Sequence, residues 1–308
     1  MGSDSPFGEP FYGAGQHSDD TDKKLYDKKI NEMKIVVLGK NGMLGRYVYT
    51  YFKSIGYDTI GVSRKDVSIA EVDKVVLTDF FSSLGLNNDD VVINCIGVIK
   101  PRVDELGVLN AININSVLPH VLEEILEEMG VNLIHPTTDC VYDGLQGQYD
   151  EDHPHNVTDI YGRTKSLGEP LKSTVIRTSI IGEEVNQGRS LLEWVKSNKN
   201  KTVNGFINHQ WNGVTCLEFA KICREIIEGE LYWEGVRHVF SPRSVNKLEL
   251  TGLISEIYEL NMTITPFETP AKCDRSMITK YEDTGVEVSD LRTQLIEMCD
   301  YFTVLEEG

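Results

Sequence analysis

Long apolar runs, paired cysteines and an excess of basic residues are all missing from this sequence. No run reaches the length of about 18 apolar residues that a membrane-spanning helix requires, so we expect no membrane partner. The six cysteines form no CxxC pair and show no metal-ligand spacing. Since no secretory signal is visible either, this pattern indicates reduced thiols in a cytoplasmic protein and predicts no metal site.

Positive charge is scarce as well. The chain has 30 Lys and Arg against 48 Asp and Glu, which gives a net charge of −18. This balance excludes nucleic acid as a partner, because phosphate-backbone binding needs concentrated Lys and Arg. An anionic small ligand stays compatible with the acidity, since helix N-termini and a few local cations can hold it.

What the chain does contain is an alternation of short β-branched runs with helical periodicity. Lys34–Leu38 is apolar and stops at Gly39, which is typical of a buried parallel strand. A long amphipathic helix is predicted over Ala111–Leu126. Further strands are predicted at Thr59–Val62, Lys74–Leu77, Val91–Cys95, Val131–His135 and Thr174–Arg177. The order predicts an α/β fold, a Rossmann-type doubly wound parallel sheet with helices on both faces.

Three regions follow from this pattern. Residues 1–32 are polar without a sustained apolar period, and we expect a disordered tail there. Residues 33–180 form the predicted dinucleotide-binding domain. Residues 181–308 form mainly a smaller α/β substrate lobe over the carboxyl ends of the strands, with room for strands that return to the Rossmann sheet. Helices in this lobe are predicted near residues 190–197, 217–228, 247–259 and 290–301.

Three glycines join the first strand to the first helix. Gly39, Gly42 and Gly45 permit a sharp turn and a close approach to a pyrophosphate, while the helix N-terminus offers unpaired N–H groups. Asn41, Met43 and Leu44 complete the predicted cofactor turn. A plain tight turn is the alternative interpretation.

The end of the second strand bears on the choice of cofactor. Ser63, Arg64 and Lys65 stand where an NAD-binding fold usually has an acidic residue for the ribose. A 2′-phosphate could be bound there, so we favour NADPH. Asp66 lies one step further along and keeps NADH open, as does the interpretation of Arg64 as a solvated loop cation.

A phenol and an ammonium stand four residues apart in Tyr161 and Lys165. On a helix both lie on one face, and a neighbouring cation favours the phenolate, which suits a general acid or base. Thr138 ends the fifth predicted strand and can bind a substrate carbonyl beside Tyr161, or it merely caps a turn. Asn115 either supports a proton path or is a surface residue of its helix. We also predict cofactor contacts from Cys95, Ile96, Gly97 and Asn115, in addition to Tyr161 and Lys165.

Three segments together resemble the dTDP-4-dehydrorhamnose reductase group of extended short-chain dehydrogenases. They are Thr-Thr-Asp-Cys-Val-Tyr-Asp-Gly at 137–144, Tyr-Asp-Glu-Asp-His-Pro at 149–154 and Tyr-Gly-Arg-Thr-Lys-Ser-Leu-Gly-Glu at 161–169. The resemblance runs from about Lys34 to near the C-terminus. It implies a catalytic set of Thr138, Tyr161 and Lys165 that reduces the C4 ketone of a nucleotide-linked 4-keto-6-deoxysugar in deoxysugar biosynthesis. It also implies a nucleotide-sugar partner and, because relatives are often dimers, a homodimer.

The predicted substrate contacts are Lys100, Arg102, Thr138, Asp139, Trp211 and Arg275. Guanidinium and ammonium groups suit a diphosphate, although exposed solubilising charges are an equal interpretation for the three cations. The chain departs from the family pattern at Cys140, at Ile180 and in the basic loop 97–105. These positions border the sugar, so a UDP-linked or N-acetylated sugar is as acceptable as the dTDP substrate.

Other functions on the same scaffold stay open. A 4,6-dehydratase would carry a glutamate where Cys140 follows Asp139. An epimerase would retain tightly bound NAD. The regulatory subunit of methionine adenosyltransferase also resembles these reductases, and fold alone does not separate a binding subunit from an enzyme. The intact Thr138, Tyr161 and Lys165 favour the reductase.

Overall fold

A computed structural model describes residues 32–68, 72–184, 188, 190–282 and 285–307, with side chains described up to residue 301. Apart from Glu32, the predicted tail of residues 1–32 lies outside the described residues. None of the helices in the described ranges has the length and apolar character needed to cross a membrane.

The secondary structure alternates strands and helices in the first half and is more irregular in the second. The strands are β1 (Lys34–Leu38), β2 (Asp58–Val62), β3 (Val91–Asn94), β4 (Asn132–Thr138), β5 (Thr174–Thr178), β6 (Ile180–Ile181), β7 (Thr202–Phe206), β8 (His209–Trp211), β9 (Val214–Thr215), β10 (Gly235–His238), β11 (Val245–Asn246), β12 (Thr263–Phe267) and β13 (Cys273–Asp274). The α-helices are α1 (Met43–Ser54), α2 (Lys74–Ser83), α3 (Lys100–Leu106), α4 (Val108–Ile112), α5 (Leu118–Met129), α6 (Ile160–Leu167), α7 (Leu191–Ser197), α8 (Cys216–Glu228), α9 (Lys247–Ile257) and α10 (Leu291–Glu307).

Six strands form one parallel sheet in the order β10-β5-β4-β3-β1-β2. The strand order turns back between β1 and β3, which is the position where open α/β sheets bind ligands at the carboxyl ends of their strands. The prediction of a doubly wound parallel sheet is therefore confirmed. The sixth strand, β10, comes from the second half of the chain and extends the sheet beyond β5.

Apolar side chains of β1 alternate between two hydrophobic layers, as the pleat of a strand requires. Ile35 and Val37 pack with α1 and α8 on one face of the sheet, whereas Val36 and Leu38 pack with α2 and α5 on the other. Because both faces are covered, the strand is a continuous apolar run without polar alternation. Residues 216–228 thus complete the core of the N-terminal sheet.

One predicted strand is wrong. Lys74–Leu77 was assigned to the sheet from its apolar run, but it forms the first turn of α2. Asp73 caps this helix, accepting hydrogen bonds from the backbone N–H groups of Val75 and Val76 at 2.9 and 3.3 Å. Val75 and Val76 are 69% and 48% exposed, while Leu77 and Phe81, four residues apart, enter the core. The N-cap and the helical spacing outweigh the β propensity of the two valines.

The predicted helix over Ala111–Leu126 is three consecutive segments. Residues of α4 pass into a π-helical turn, Asn113–Val117, and then into α5. π-Helical turns often occur at functional sites, and this one contains the predicted site residue Asn115.

The remaining described strands form small sheets in the second half of the chain. Strands β11, β8 and β13 form a three-stranded sheet, with β8 in the middle. The four helices predicted there are present as α7, α8, α9 and α10. Trp211 ends β8, Lys247 follows β11 and Arg275 follows β13, so this sheet presents three large polar or aromatic side chains near the strand tips of the main sheet.

Candidate active site

The glycine turn after β1 is closed by backbone contacts. Gly39 has φ of +81° and donates its N–H to the carbonyl of Val62 at 2.9 Å, while the N–H of Gly42 returns to the carbonyl of Gly39 at 2.9 Å. A Cβ on Gly45 would lie 2.2 Å from the carbonyl oxygen of Gly39, far inside van der Waals contact. The turn therefore needs glycine at positions 39 and 45 for different reasons, a left-handed backbone and a close backbone approach.

The residues that end β3 lie against this turn. The atoms nearest to a Cβ built on Gly39 are Cγ1 of Ile96 and the carbonyl oxygen of Cys95. The N–H of Cys95 donates to the carbonyl of Leu38 at 3.0 Å. The structure thus brings Cys95, Ile96 and the three-glycine turn to one point at the carboxyl edge of the sheet.

The first helix begins at this point without a side-chain cap. Gly42 is the N-cap of α1 and offers no capping oxygen, so the N–H groups of the first turn have no side-chain acceptor. Open N–H groups and the positive end of a helix dipole suit a pyrophosphate. Together with the close approach at Gly45, the residues present fit a dinucleotide.

The loop after β2 leaves its basic residues in solvent. Asp66 accepts hydrogen bonds from the backbone N–H and the hydroxyl of Ser63, both at 2.7 Å. These two bonds lower the pKa of Asp66 below its usual range. Arg64 and Lys65 are exposed. A ribose at this edge would meet a carboxylate already engaged by Ser63 beside two solvated cations.

Thr138 and Tyr161 meet where β4 ends. The Thr138 hydroxyl accepts a hydrogen bond from the N–H of Cys140 at 3.1 Å and is a hydrogen-bonding neighbour of the Tyr161 phenol. Burial raises the pKa of Tyr161 above its ordinary value, Cys140 raises it further, and the hydrogen bond with Thr138 lowers it. The phenol is therefore protonated at neutral pH and has a proton to give, and its raised pKa makes it a weaker acid than a free tyrosine.

Lys165 lies on α6, the helix that carries Tyr161, and is almost fully buried. Its ammonium donates to the carbonyl of Pro136 at 3.1 Å. Burial lowers the pKa of Lys165 to about 8, against an opposing effect of Glu169. The spacing of Tyr161 and Lys165 predicts that the ammonium lowers the pKa of the phenol. In the structure the charged groups that act on Tyr161 are Asp139 and Asp159, which raise its pKa.

Asn115 is a buried connector between the end of β3 and the helix of Tyr161. Its side-chain oxygen accepts from the N–H of Val98 at 2.8 Å, and its amide donates to the carbonyl of Val98 at 3.0 Å and to Thr164 at 3.1 Å. The interpretation as a surface asparagine is wrong, since only 1% of the residue is exposed. Gly97 lies beside it, 3.6 Å from the Asn115 side-chain oxygen to a Cβ built on the glycine.

The helix α6 reaches Asn115 because its last turn ends in glycine. A Cβ on Gly168 would lie 1.7 Å from the carbonyl oxygen of Asn115. Ser116 adds a hydrogen bond of 2.7 Å from its hydroxyl to the carbonyl of Thr164. The glycine of the Tyr-Gly-Arg-Thr-Lys-Ser-Leu-Gly-Glu segment therefore permits the contact between α6 and the π-helical turn.

A cleft of about 200 Å³ opens beside Thr138, between the strand tips and the C-terminal sheet. Three predicted substrate residues, Asp139, Trp211 and Arg275, line it. The indole N–H of Trp211 donates to the Ser179 hydroxyl at 2.8 Å, and Nε of Arg275 donates to the carbonyl of Tyr142 at 2.9 Å. Lys247 also lines the cleft. It is not among the predicted substrate contacts, because a lone lysine at the start of a helix belongs to no recognisable motif.

The two other predicted substrate cations lie elsewhere. Lys100 begins α3, and its ammonium forms an ion pair of 2.9 Å with Asp159 at the start of α6, with 61% of its side chain exposed. Nε of Arg102 lies 3.8 Å from Glu105 on its own helix. Neither residue is among those that line the cleft of Asp139, Trp211 and Arg275.

A buried ion pair supports the site from behind. Arg177 is 2% exposed and donates to Glu169 from Nη2 at 2.6 Å and from Nε at 3.1 Å. Thr137 donates to the same carboxylate at 2.9 Å. This carboxylate joins the end of α6 to β4 and β5. In the sequence, Glu169 ends the 161–169 segment that resembles the family and Arg177 ends a predicted strand, and neither position predicts this ion pair.

Comparison with known proteins gives one family. A family model described as the RmlD substrate binding domain matches residues 33–290. The beta subunit of methionine adenosyltransferase 2 from Danio rerio is 25% identical over 254 residues, which cover 74% of this chain and 74% of that protein. A dTDP-4-dehydrorhamnose reductase from Mycolicibacterium smegmatis is 31% identical over 142 residues, 44% of this chain and 40% of its own.

Solved structures share the fold. A dTDP-4-dehydrorhamnose reductase from Clostridium acetobutylicum superposes with a TM-score of 0.71 at 21% identity and covers 88% of this chain and 100% of its own. The Bacillus anthracis enzyme of the same name, solved in complex with NADP, also has a TM-score of 0.71, at 18% identity with 86% and 98% covered. At these low sequence identities, the structural similarity establishes a shared fold.

Proposed function

This chain belongs to the RmlD substrate-binding-domain family, as its resemblance to dTDP-4-dehydrorhamnose reductases indicated, and from that premise we propose that it is a NAD(P)H-dependent reductase of a keto group on a nucleotide-linked sugar. The observation that carries the proposal is the meeting of Thr138 and Tyr161 at the end of β4, with the ammonium of Lys165, on the helix of Tyr161, held by the carbonyl of Pro136 in β4. A dinucleotide cradle stands at the ends of β1 and β3 in the same edge of the sheet.

A nicotinamide cofactor held by the glycine turn would supply the hydride for the carbonyl carbon. The chain supplies the rest of the chemistry. Tyr161 gives its phenolic proton to the oxygen that gains negative charge, and the Thr138 hydroxyl donates a hydrogen bond to that oxygen. We assign Lys165, four residues along the same helix, as the buried positive charge that would favour the phenolate left after the proton has moved.

The assignment of site residues is part of the proposal. We assign Thr138, Tyr161 and Lys165 to catalysis and the glycine turn to the cofactor. We assign Asp139, Trp211 and Arg275 to the substrate, because they line one cleft next to Thr138. Lys100 and Arg102 lie outside that cleft and receive no substrate role here. Residues 33–180 then form the dinucleotide half and residues 181–308 mainly the substrate half, with β10 returning to the first sheet.

The proposed identity of the sugar and of its nucleotide follows from the family resemblance. We propose reduction of the C4 ketone of a 4-keto-6-deoxysugar linked to dTDP or UDP. NADPH is the favoured cofactor because Arg64 and Lys65 are exposed at the end of β2 while Asp66 is engaged by Ser63. The NADP bound to the Bacillus anthracis relative supports the same cofactor class. A cytoplasmic location and a homodimer stay predictions.

The test is a panel of dTDP- and UDP-linked 4-keto-6-deoxysugars with NADPH, followed by absorbance, with products identified by NMR. We expect that one of these sugars is reduced and that one NADPH is oxidised for each sugar molecule reduced. Tyr161→Phe should lower turnover by roughly a hundredfold or more with cofactor affinity unchanged, because it removes only the transferred proton. Wild-type rates in Tyr161→Phe, or no turnover with any sugar, would contradict the proposal.

A second candidate is a regulatory subunit. The likeness to the methionine adenosyltransferase beta subunit spans 74% of this chain, which is more than the 44% covered by the Mycolicibacterium reductase. This candidate predicts tight co-purification with a methionine adenosyltransferase catalytic subunit and a change in the activity of that subunit. A catalytic subunit whose rate and elution are both unaffected would exclude it.

A further inference from the structure

Lys247 is a cation for which the residues around it provide no hydrogen bond. It is the first residue of α9 and follows β11, which pairs with β8 next to Trp211. Its ammonium lies 5.3 Å from the centroid of the Trp211 ring and lines the cleft beside Asp139. Among the described residues, no side chain or carbonyl accepts a hydrogen bond from this ammonium.

The position is unfavourable for a lysine on its own. Burial lowers the pKa of Lys247, and the attraction of Asp139 opposes that effect. A positive charge in the first turn of a helix also faces the positive end of the helix dipole. The face of the Trp211 ring offsets part of this unfavourable free energy. The three N–H groups of the ammonium still have no acceptor among the described residues. The cleft therefore holds a half-buried ammonium that has no hydrogen-bond acceptor among the described residues.

Arg275 adds a second set of unused donors. Its Nε is taken by the carbonyl of Tyr142 at 2.9 Å, while its Nη groups have no hydrogen-bond acceptor among the described residues. Arg275 and Lys247 line the same cleft, and Arg275 contributes to the lowered pKa of Lys247, as a like charge does. Asp139 is the negative group that faces both, and it also accepts a hydrogen bond from Thr138 at 3.2 Å.

We propose that Lys247 and Arg275 together bind the diphosphate of the nucleotide sugar. The proposal rests on the reductase function proposed above, and it identifies the residues that recognise the anionic part of the substrate. Two cations against one carboxylate leave an excess of positive charge in a protein whose net charge is −18. A diphosphate has the charge to neutralise both cations and several oxygens to accept from their free N–H groups.

This geometry distinguishes a binding role from a role at the reacting carbon. Thr138 and Tyr161 are the residues assigned above to the carbonyl oxygen. Lys247 lies on the Trp211 side of Asp139, in the wall formed by the C-terminal sheet. A contact to the diphosphate acts equally in the ground state and in the transition state, so its removal should raise KM and leave kcat nearly unchanged.

The test uses the full chain and nucleotides that need no turnover. Binding of UDP, dTDP, uridine and thymidine is measured by calorimetry in wild type and in Lys247→Met, which keeps the side-chain volume and removes the charge. We expect nucleoside diphosphate binding to weaken by roughly tenfold or more, the size of one lost charge-assisted hydrogen bond. The affinity for the free nucleosides and for NADPH should stay as in wild type.

Two further variants keep the result interpretable. Lys199→Met changes an exposed lysine in the same half of the chain and should leave every affinity unchanged. Lys247→Arg retains the charge and should recover part of the lost affinity. Equal thermal midpoints of Lys247→Met and wild type would show that the loss is not unfolding.

The outcomes separate this proposal from the reductase function. If Lys247→Met binds UDP and dTDP as tightly as wild type, the diphosphate assignment is wrong, whatever sugars are reduced. If Lys247→Met lowers kcat at an unchanged KM, the lysine acts at the reacting centre and the assignment is also wrong. If diphosphates bind through Lys247 but no keto sugar is reduced, the reductase function fails and the anion site stands.

Discussion

Gly45→Ala tests the dinucleotide cradle at the position where the structure defines it most sharply. The new Cβ would lie 2.2 Å from the carbonyl oxygen of Gly39 and 3.2 Å from Cβ of Cys95. Ordinary contact begins near 3.4 Å. The first turn of α1 and the Gly39 peptide must therefore separate by roughly 1 Å, because neither partner is a flexible side chain that could move away.

Two consequences follow from that displacement. Over-packing of this kind destabilises a folded protein by about 1–3 kcal/mol. The open N–H groups of the first turn of α1 move with the backbone, and a misplacement of about 1 Å in a positioning group can weaken function by roughly a hundredfold. We expect NADPH affinity to fall by about tenfold to a hundredfold. Fluorescence titration of NADPH and thermal unfolding of the same sample measure the two effects separately.

Gly252→Ala is the matched control. Gly252 lies inside α9, and a Cβ built there meets no atom within 4 Å. An alanine in an open helical position should raise stability by about 0.5–1 kcal/mol and leave NADPH binding unchanged. If Gly45→Ala binds NADPH as tightly as Gly252→Ala and unfolds at the same temperature, the close approach at Gly39 does not shape the cofactor site.

Two further predictions concern charge in the site. Burial lowers the pKa of Lys165 to about 8, so its ammonium is present below that pH and lost above it. We expect kcat/KM for NADPH to decrease as the pH rises through about 8, and a profile that stays level from about pH 7 to 10 would contradict the role of this charge. Arg64→Ala should lower kcat/KM for NADPH and leave kcat/KM for NADH unchanged, because the exposed Arg64 at the end of β2 is assigned to the 2′-phosphate. Parallel kcat/KM values for both cofactors measure this, and equal losses would remove the 2′-phosphate assignment.

The buried ion pair of Arg177 and Glu169 shows how tertiary contacts gave meaning to residues that were visible only as motifs. Glu169 lies in a segment that resembles the family and Arg177 at the end of a predicted strand, yet spacing along the chain does not reveal that they meet. The Glu169 carboxylate accepts hydrogen bonds from Arg177 and Thr137, and its charge raises the pKa of Lys165. These interactions exist only because β4, β5 and the end of α6 converge.

The segment at Lys74–Leu77 shows the opposite case, in which a local signal was misread. Two β-branched valines within an apolar run indicated a strand, but their side chains are exposed on a capped helix. Hydrophobic runs of four residues fit both elements. The decisive facts were the Asp73 cap and the burial of Leu77 and Phe81 at helical spacing. Asp73 is readable from the sequence, whereas the burial follows from the layer formed by α2 and α5.

By itself, the sequence determined the parallel sheet, the glycine turn and the helix that carries Tyr161 and Lys165. The signal for each of these lies between near neighbours in the sequence: β-branched runs, a tight turn before a helix, and a spacing of four residues. Tertiary structure alone decided that Asn115 connects β3 to α6, that β10 extends the sheet, and that Lys247 joins Asp139 and Arg275 in one cleft. Those relations join residues about 20 to more than 130 positions apart, and they exist only once the packing of the core has set the distances between elements.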